Sequence, residues 1–155
     1  MTAPIRADEV PSKKGETVYP EPFNRVVKGR SKRKLGDLFG LTNFGVNLTE
    51  LDPGSSSALA HYHSKQDEFI FVLQGTATMI IAEQEFILNE GDCIGFKAGS
   101  EIAHQLVNRS NAQVKYLEVG DRSPKDEVTY PNDDLSVRLS DTGNWVFSRK
   151  DGTGL

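Results

Sequence analysis

Residues 54–75 read GSSSALAHYHSKQDEFIFVLQG and carry the pattern on which the rest of the chain depends. His61 and His63 alternate across Tyr62, and residues two apart on a β-strand point to the same face. Glu68 follows five residues after His63, a gap long enough for a short turn at residues 64–67 before a second strand. The segment therefore predicts two imidazoles and one carboxylate that meet on neighbouring strands.

A third histidine lies in a second segment, residues 91–108, which read GDCIGFKAGSEIAHQLVN. The chain has three histidines in all, and His61, His63 and His104 all fall in these two segments. Three imidazoles and a carboxylate suit a divalent transition metal such as Zn, Fe, Mn, Ni or Co. We therefore predict a metal site formed by His61, His63, Glu68 and His104. The alternative is that the histidines are hydrogen-bonded residues of the core or its rim.

Short apolar segments recur at even spacing from residue 44 to residue 120. Turn sequences rich in Gly, Pro, Asn and Asp separate them, and no segment has the length and periodicity of an ordinary helix. Many short strands with a turn signal every 8 to 12 residues are typical of an antiparallel sandwich or barrel. The sequence thus predicts an all-β protein.

The two segments resemble the paired motifs of the cupin superfamily. The first motif is matched by Gly54, His61, His63, Glu68 and Gly75, and the second by Gly91, Gly99, His104 and Asn108. Lys97 replaces the usual proline of the second motif, and the spacer before His104 is two residues longer than usual. The resemblance implies a single antiparallel β-barrel of the jelly-roll (double-stranded β-helix) type, with the three histidines and Glu68 as metal ligands in its mouth. It also implies a homodimer.

At 155 residues the chain suits one domain. We divide it into an N-terminal arm at residues 1–43 packing on the barrel, the cupin barrel at 44–120 and a C-terminal extension at 121–155. Residues 23–27 are predicted as a strand and 36–45 as a loop, and the apolar residues 145–147 are predicted to pack on the barrel. The single cysteine, Cys93, is expected to be a buried, reduced thiol. With no signal peptide or membrane-spanning segment recognisable, we expect a cytoplasmic protein.

The formal net charge of −4 is unevenly distributed. Residues 1–43 contain nine basic and five acidic residues, whereas the remaining chain contains nine basic and seventeen acidic residues. Most of the basic charge lies between Lys28 and Lys34. Because an acidic body repels polyanions, we interpret this run as a solvated connection or as a partner of the acidic body. Neither nucleic acid nor a membrane is predicted as a partner.

Three functional hypotheses follow. The first is a metal-dependent enzyme acting on a small oxygenated molecule, either a sugar-phosphate isomerase, as some cupins are, or a dioxygenase or decarboxylase. The second is a module that binds or senses a small ligand without turnover, and the third is a metal-free structural barrel. Strand parity predicts a mostly apolar pocket, with Leu59, Ile70, Val72 and Leu106 pointing inward. Lys97 and the basic run are the candidate phosphate ligands. The sequence identifies no catalytic base and no cofactor-binding residue besides the metal ligands.

Overall fold

The computed structural model describes residues 3–155, which form a structure composed almost entirely of β-strands. Two 3₁₀-helices occupy Ala7–Glu9 and Phe23–Val27, and a single α-helical turn, α1, occupies Leu35–Leu38. The strands are β1 (Arg30–Lys34), β2 (Phe44–Leu51), β3 (Tyr62–His63), β4 (Glu68–Gln74), β5 (Ala77–Ile81), β6 (Gln84–Leu88), β7 (Cys93–Phe96), β8 (His104–Val107), β9 (Val114–Asp121), β10 (Glu127–Thr129), β11 (Ser136–Leu139) and β12 (Trp145–Ser148). Within residues 3–155, no helix combines the length and the apolar character that crossing a bilayer requires.

Antiparallel ladders arrange the strands in three sheets. The largest has the order β1-β2-β9-β4-β7, the second β12-β11-β10-β3, and the third β6-β5-β8. Single bridges from Ser56 to Val107 and from His61 to His104 connect the loop after β2 to the third sheet. The predicted all-β jelly roll is confirmed, although its hydrogen bonding is divided among separate sheets. The division into arm, barrel and extension stays a prediction.

The alternation of side chains along each strand determines which residues face the interior of the barrel. On β4 the residues Glu68, Ile70 and Val72 share the inner face, whereas Phe69 and Leu73 on the outer face are 41% and 37% exposed. Ile70 and Val72 join the apolar core. Buried apolar side chains of this size each stabilise a fold by roughly 1.5–3 kcal/mol. Because Glu68 continues the same face beyond Ile70, the core gives way to a polar site at that end of the strand.

A second apolar cluster covers this end. Its buried residues come from β10, β11 and the turn between them, and its partly buried residues include Tyr19 and Phe23 of the arm. Trp145 and Phe147 of β12 pack against this cluster, as predicted, while Val146 between them is 39% exposed. The polar end of the barrel is therefore enclosed by chain segments that flank it on both sides in sequence.

Three local predictions are wrong. Residues 23–27 form a 3₁₀-helix in place of a strand, and the Asn24 amide donates to the Pro20 carbonyl at 3.1 Å. The predicted loop at 36–45 contains most of α1 and the start of β2. Cys93 is exposed. Because Ile94 and Phe96 take the inner face of β7, the alternation of the strand places Cys93 on the outside.

Candidate metal centre

The histidines and the glutamate come from three strands and one bridge. His61 directly precedes β3 and His63 ends it, while Glu68 begins β4 and His104 begins β8. His61 and His104 exchange two backbone hydrogen bonds, of 3.1 and 3.0 Å, across the isolated bridge. Two of the predicted ligands are thus held side by side by the main chain itself.

One oxygen of Glu68 lies close to all three imidazoles. Its Oε2 atom is 2.9 Å from His104 Nε2, 3.5 Å from His61 Nε2 and 3.6 Å from His63 Nε2. Donor atoms of His61, Glu68 and His104 all lie within 4.8 Å of one another. Imidazole nitrogen and carboxylate oxygen are donors that bind transition metals. His63 lies outside this group of three and approaches it at Glu68. The structure therefore brings three of the four predicted ligands within this spacing and places the fourth beside Glu68.

In His61 and His63, the hydrogen bond of Nδ1 determines which ring nitrogen carries the proton and which has a free lone pair. His61 Nδ1 lies 2.7 Å from the Leu59 carbonyl, which only accepts, so Nδ1 carries the proton and donates it. His63 Nδ1 lies 2.6 Å from Asp126 Oδ2 and donates in the same way. Both Nε2 atoms are left as acceptors, the state that a metal ligand requires.

The third imidazole is fixed by stacking. The His104 ring lies parallel to Phe96, with 3.6 Å between ring centroids and an angle of 4°. Its Nδ1 atom is buried and has no hydrogen-bond partner within residues 3–155. The aromatic surface sets the plane of the ring, and that plane directs Nε2 toward Glu68.

Burial and charge shift the pKa values of the site residues in different directions. Burial would raise the pKa of Glu68, but the adjacent imidazoles of His104, His61 and His63 hold it well below its usual value. Burial lowers the pKa of His104 despite the adjacent Glu68. Burial also acts to lower the pKa of His63, but Asp126 and Glu68 together raise it. An ionised carboxylate therefore faces a neutral His104 imidazole.

Asp126 is a functional residue that the sequence did not reveal. It is fully buried just before β10, and its Oδ1 atom accepts from the Lys65 amide at 2.8 Å while Oδ2 accepts from His63. Burial acts to raise its pKa, but the hydrogen bond and charge of His63 and the amide donors lower it. In the sequence, residues 121–137 read as a charged, proline-containing segment, and nothing in it distinguishes Asp126 from the other acidic residues. Asp126 positions His63 and the turn that leads to Glu68.

Replacing Asp126 with Asn is expected to weaken metal affinity by about 10- to 100-fold, as loss of a carboxylate that orients a histidine ligand usually does. The free energy of unfolding should fall by about 1–3 kcal/mol, because buried donors lose a charged acceptor. Chelator competition measures the affinity and thermal unfolding the stability. Asp134→Asn, at an exposed aspartate paired with Arg149, is the matched control. Equal affinity in the two variants would show that Asp126 does not orient a ligand.

The candidate site opens into a cavity of about 790 Å³. Its wall includes Arg30, Lys32 and Lys34 of β1, together with Glu118 and Ile70. The cavity therefore contains charged groups that the predicted, mostly apolar pocket did not include. Of the four residues predicted to line it, Ile70 does so, while Val72 and Leu106 lie in the core and Leu59 packs against the second cluster. Strand parity gave the correct face, but the charged wall comes from a segment outside the predicted barrel.

Two tyrosines complete the wall beside the histidines. The Tyr130 ring lies 5.9 Å from that of His61 and 5.9 Å from that of Tyr19. Burial raises the pKa of both phenols, and in Tyr130 the neighbouring phenol and the charge of Glu68 raise it further. Both hydroxyls are consequently protonated at neutral pH and available as hydrogen-bond donors.

Glu118 is a second carboxylate on the cavity wall. It pairs in register with Ile70 of β4 and Asn47 of β2. Its Oε1 atom accepts from Asn47 Nδ2 at 3.0 Å and forms an ion pair with Lys32, and its Oε2 atom accepts from the Tyr116 hydroxyl at 3.3 Å. Three donors thus fix this carboxylate opposite Ile70, which lies two residues after Glu68 on β4. The sequence did not indicate Glu118 as a site residue, because its position depends on the pairing of strands that are distant in the chain.

The remaining motif residues have structural roles. Asn108 is fully buried and donates to the carbonyls of Leu51 and Ala112 at 2.8 and 2.7 Å, so it satisfies backbone groups. Gly75 has a φ of +85°, and a Cβ there would lie 2.9 Å from the Gln113 carbonyl oxygen. Lys97 is exposed and does not line the cavity, so of the two candidate phosphate sources only the basic run reaches it.

Comparison with known proteins agrees with this architecture. The profile of the Cupin domain family matches residues 47–120. A sugar phosphate isomerase of the cupin superfamily from Silicibacter pomeroyi is 39% identical, with a TM-score of 0.91 over 99% of this chain and 96% of its own. A protein from Acidithiobacillus ferrooxidans, provisionally described as a sugar phosphate isomerase, is 27% identical, with a TM-score of 0.74 over 83% of each chain.

More distant matches share the fold alone. The polyketide cyclase RemF from Streptomyces resistomycificus is 21% identical, with a TM-score of 0.63 over 78% of this chain and 80% of its own. The sequence matches none of the curated proteins with which it was compared. On the profile match and on the 39% identity to the Silicibacter protein across nearly the whole length, the chain belongs to the cupin superfamily.

Proposed function

We propose that this chain is a divalent-metal-dependent isomerase acting on a sugar phosphate. The observation that carries the proposal is the 39% identity, across nearly the full length, to a cupin described as a sugar phosphate isomerase. The site supports it independently, because a ligand set and a second fixed carboxylate face one cavity of a size suited to a small molecule. Fold alone would not suffice, since many activities occur on this barrel.

His61, His63, Glu68 and His104 would hold the ion. Their neutral Nε2 atoms and ionised carboxylate form a suitable donor set, with Asp126 and the Leu59 carbonyl orienting two of the rings. A divalent ion in this position supplies Lewis-acid polarisation to a carbonyl or hydroxyl oxygen of the sugar. The hydroxyls of Tyr19 and Tyr130 donate hydrogen bonds to the sugar and orient it against the histidines.

Glu118 is the residue to which we assign proton transfer. In an aldose–ketose interconversion, a proton leaves the carbon beside the carbonyl and returns to the former carbonyl carbon, while the hydroxyl proton moves between the two oxygens. The Glu118 carboxylate accepts the carbon-bound proton and returns it, so the enzyme ends unchanged and no oxidant or reductant is needed. Lys32, Asn47 and Tyr116 keep the carboxylate at the cavity wall.

The homodimer and the cytoplasmic location stay predictions. Three apolar side chains on the outer surface support the homodimer, because exposed groups of this kind frequently mark interfaces. Phe69 of β4 is 41% exposed, and Phe86 and Ile87 of β6 are 45% and 60% exposed.

The test is an isomerisation assay on protein purified without a histidine tag, stripped with a chelator and reloaded in turn with Zn, Fe, Mn, Ni or Co. We expect at least one metal form to interconvert an aldose phosphate and its ketose phosphate, followed by NMR. In deuterated water, solvent deuterium should enter the product at the carbon that receives the proton.

The other outcomes separate the competing functions. Oxygen uptake or carbon dioxide release without isomerisation would favour a dioxygenase or a decarboxylase. Tight ligand binding without any product would favour a binding module. The absence of turnover of aldose and ketose phosphates in every metal form would refute the proposal.

A further inference from the structure

Arg30 is a buried cation on the cavity wall. It begins β1, is 8% exposed, and donates from Nη1 to the Ser57 carbonyl and from Nη2 to the Glu16 carbonyl at 2.9 Å. Its Nε atom is also buried and has no hydrogen-bond partner among residues 3–155. A guanidinium carries five N–H groups, so two are used and three remain.

The charge of Arg30 is also unbalanced. Nearby cations have carboxylate partners: Lys32 pairs with Glu118, Arg33 with Glu50 and Arg122 with Asp37. No carboxylate in the described part of the chain comes within ion-pair distance of Arg30; its two acceptors are neutral carbonyls. A buried charge of this kind is unfavourable unless something supplies the opposite charge.

The alternation of β1 directs this charge into the cavity. Arg30, Lys32 and Lys34 share the face that lines it, while Arg33 on the other face pairs with Glu50. Lys34 is 55% exposed and has one acidic neighbour, Glu16, at 3.9 Å. The basic run therefore provides two cations, Arg30 and Lys34, with donors to spare on the same wall.

The candidate metal centre and this wall belong to one space. Ser57, to which Arg30 donates, lines the cavity with His61. Tyr19, Arg30 and Glu68 line this same cavity. A small molecule can therefore contact the ligand set at one end and Arg30 at the other.

We propose that Arg30, assisted by Lys34, forms a phosphate-binding subsite that holds the phosphate monoester of the substrate. Arginine offers a planar fork of donors that matches two phosphate oxygens at once, and an anion in this position also completes the unfilled bonding of Nε. That the anion belongs to a sugar rests on the proposed function; the anion subsite itself does not.

The experiment is titration of the full chain with orthophosphate, followed calorimetrically. It is repeated in Glu68→Gln, which removes binding through an ion at the other end. We expect saturable binding in both, an affinity lower by about 10-fold or more in Arg30→Gln, and a loss of about 2- to 5-fold in Lys34→Gln. Arg109→Gln, at an exposed arginine paired with Glu85, should bind as the unchanged protein does.

A second measurement needs no loss-of-charge variant. In ¹⁵N NMR of the unchanged protein, the Nε–H resonance of Arg30, assigned by its disappearance in Arg30→Lys, should shift on addition of orthophosphate. Circular dichroism and thermal unfolding establish that Arg30→Gln is folded. If Arg30→Gln does not fold, this resonance and the Lys34→Gln titration decide the question.

The possible outcomes test the phosphate subsite and the isomerase function separately. Absence of saturable orthophosphate binding, or an unmoved Arg30 resonance, would overturn the subsite even if the chain isomerises sugars. Binding that depends on Arg30, together with no turnover of any sugar phosphate, would uphold the subsite and refute the isomerase. With both intact, a pentose phosphate should bind more tightly than the free pentose, and Arg30→Gln should abolish the difference.

Discussion

Glu68→Gln is expected to lower the metal content from about one equivalent per chain to less than about a tenth, since removing one ligand of a four-residue site costs most of its affinity. Glu68 is the only anionic donor of the set, and its Oε2 atom lies within 3.6 Å of all three Nε2 atoms. The amide keeps the shape of the side chain but removes the negative charge. Elemental analysis of untagged protein gives the metal content.

The matched control for Glu68→Gln is Glu85→Gln. Glu85 lies on β6, is about half exposed and pairs with Arg109, so the substitution removes the same charge far from the histidines. The control should retain its metal. If Glu68→Gln retained it as well, the four residues would not be the ligand set, and a hydrogen-bonded cluster without an ion would explain the geometry.

Glu118→Gln is expected to lower kcat by about 10²- to 10⁴-fold, the usual contribution of a positioned acid–base group. The metal content should not change, because Glu118 lies opposite Ile70, and its hydrogen bond to Asn47 and ion pair with Lys32 hold it outside the ligand set. KM should change much less than kcat, since the amide can still hydrogen-bond the substrate but cannot accept a proton from carbon. Steady-state kinetics on the reloaded protein measures both constants.

Glu50→Gln controls for loss of an ion-paired glutamate in the same sheet. Glu50 lies on the outer face of β2, where it pairs with Arg33 and Lys115. Its substitution should leave kcat within about 2-fold, because Glu50 lies on the face of β2 opposite Asn47 and does not line the cavity. An unchanged kcat in Glu118→Gln would remove this residue from the chemistry. A loss of metal in that variant would assign it to the ligand network.

Three of the four ligands could be predicted because they lie close together in the sequence. His61 and His63 are separated by one residue and Glu68 follows after a short turn, although β3 and β4 belong to different sheets and do not pair with each other. The strands of the barrel were likewise predicted closely, since turn residues separate short apolar runs whose parity sets the inner face. β2, for example, begins at residue 44, where the regular apolar pattern begins in the sequence.

The cavity wall could not be predicted because it depends on pairing between distant segments. Glu118 faces the cavity through its register with Asn47 and Ile70, more than forty residues away. The basic run was interpreted as a solvated connection or as a partner of the acidic body, and the salt bridges of Lys32 and Arg33 confirm the second interpretation. Its pairing with β2 as strand β1, which the sequence did not indicate, places Arg30 on the cavity wall. Asp126 reaches His63 across more than sixty residues. The local hydrophobic periodicity of the sequence does not indicate contacts between such distant residues.

The backbone bridge between His61 and His104 has a consequence for how the candidate site would acquire an ion. Two main-chain hydrogen bonds hold these side chains in place, and Phe96 and Asp126 fix ring planes from outside the site. The constellation is thus assembled by folding itself, unlike a zinc finger, whose chain collapses around its ion. In a site assembled in this way, one ion would replace another without unfolding the protein, so the supply of ions would set which one is bound.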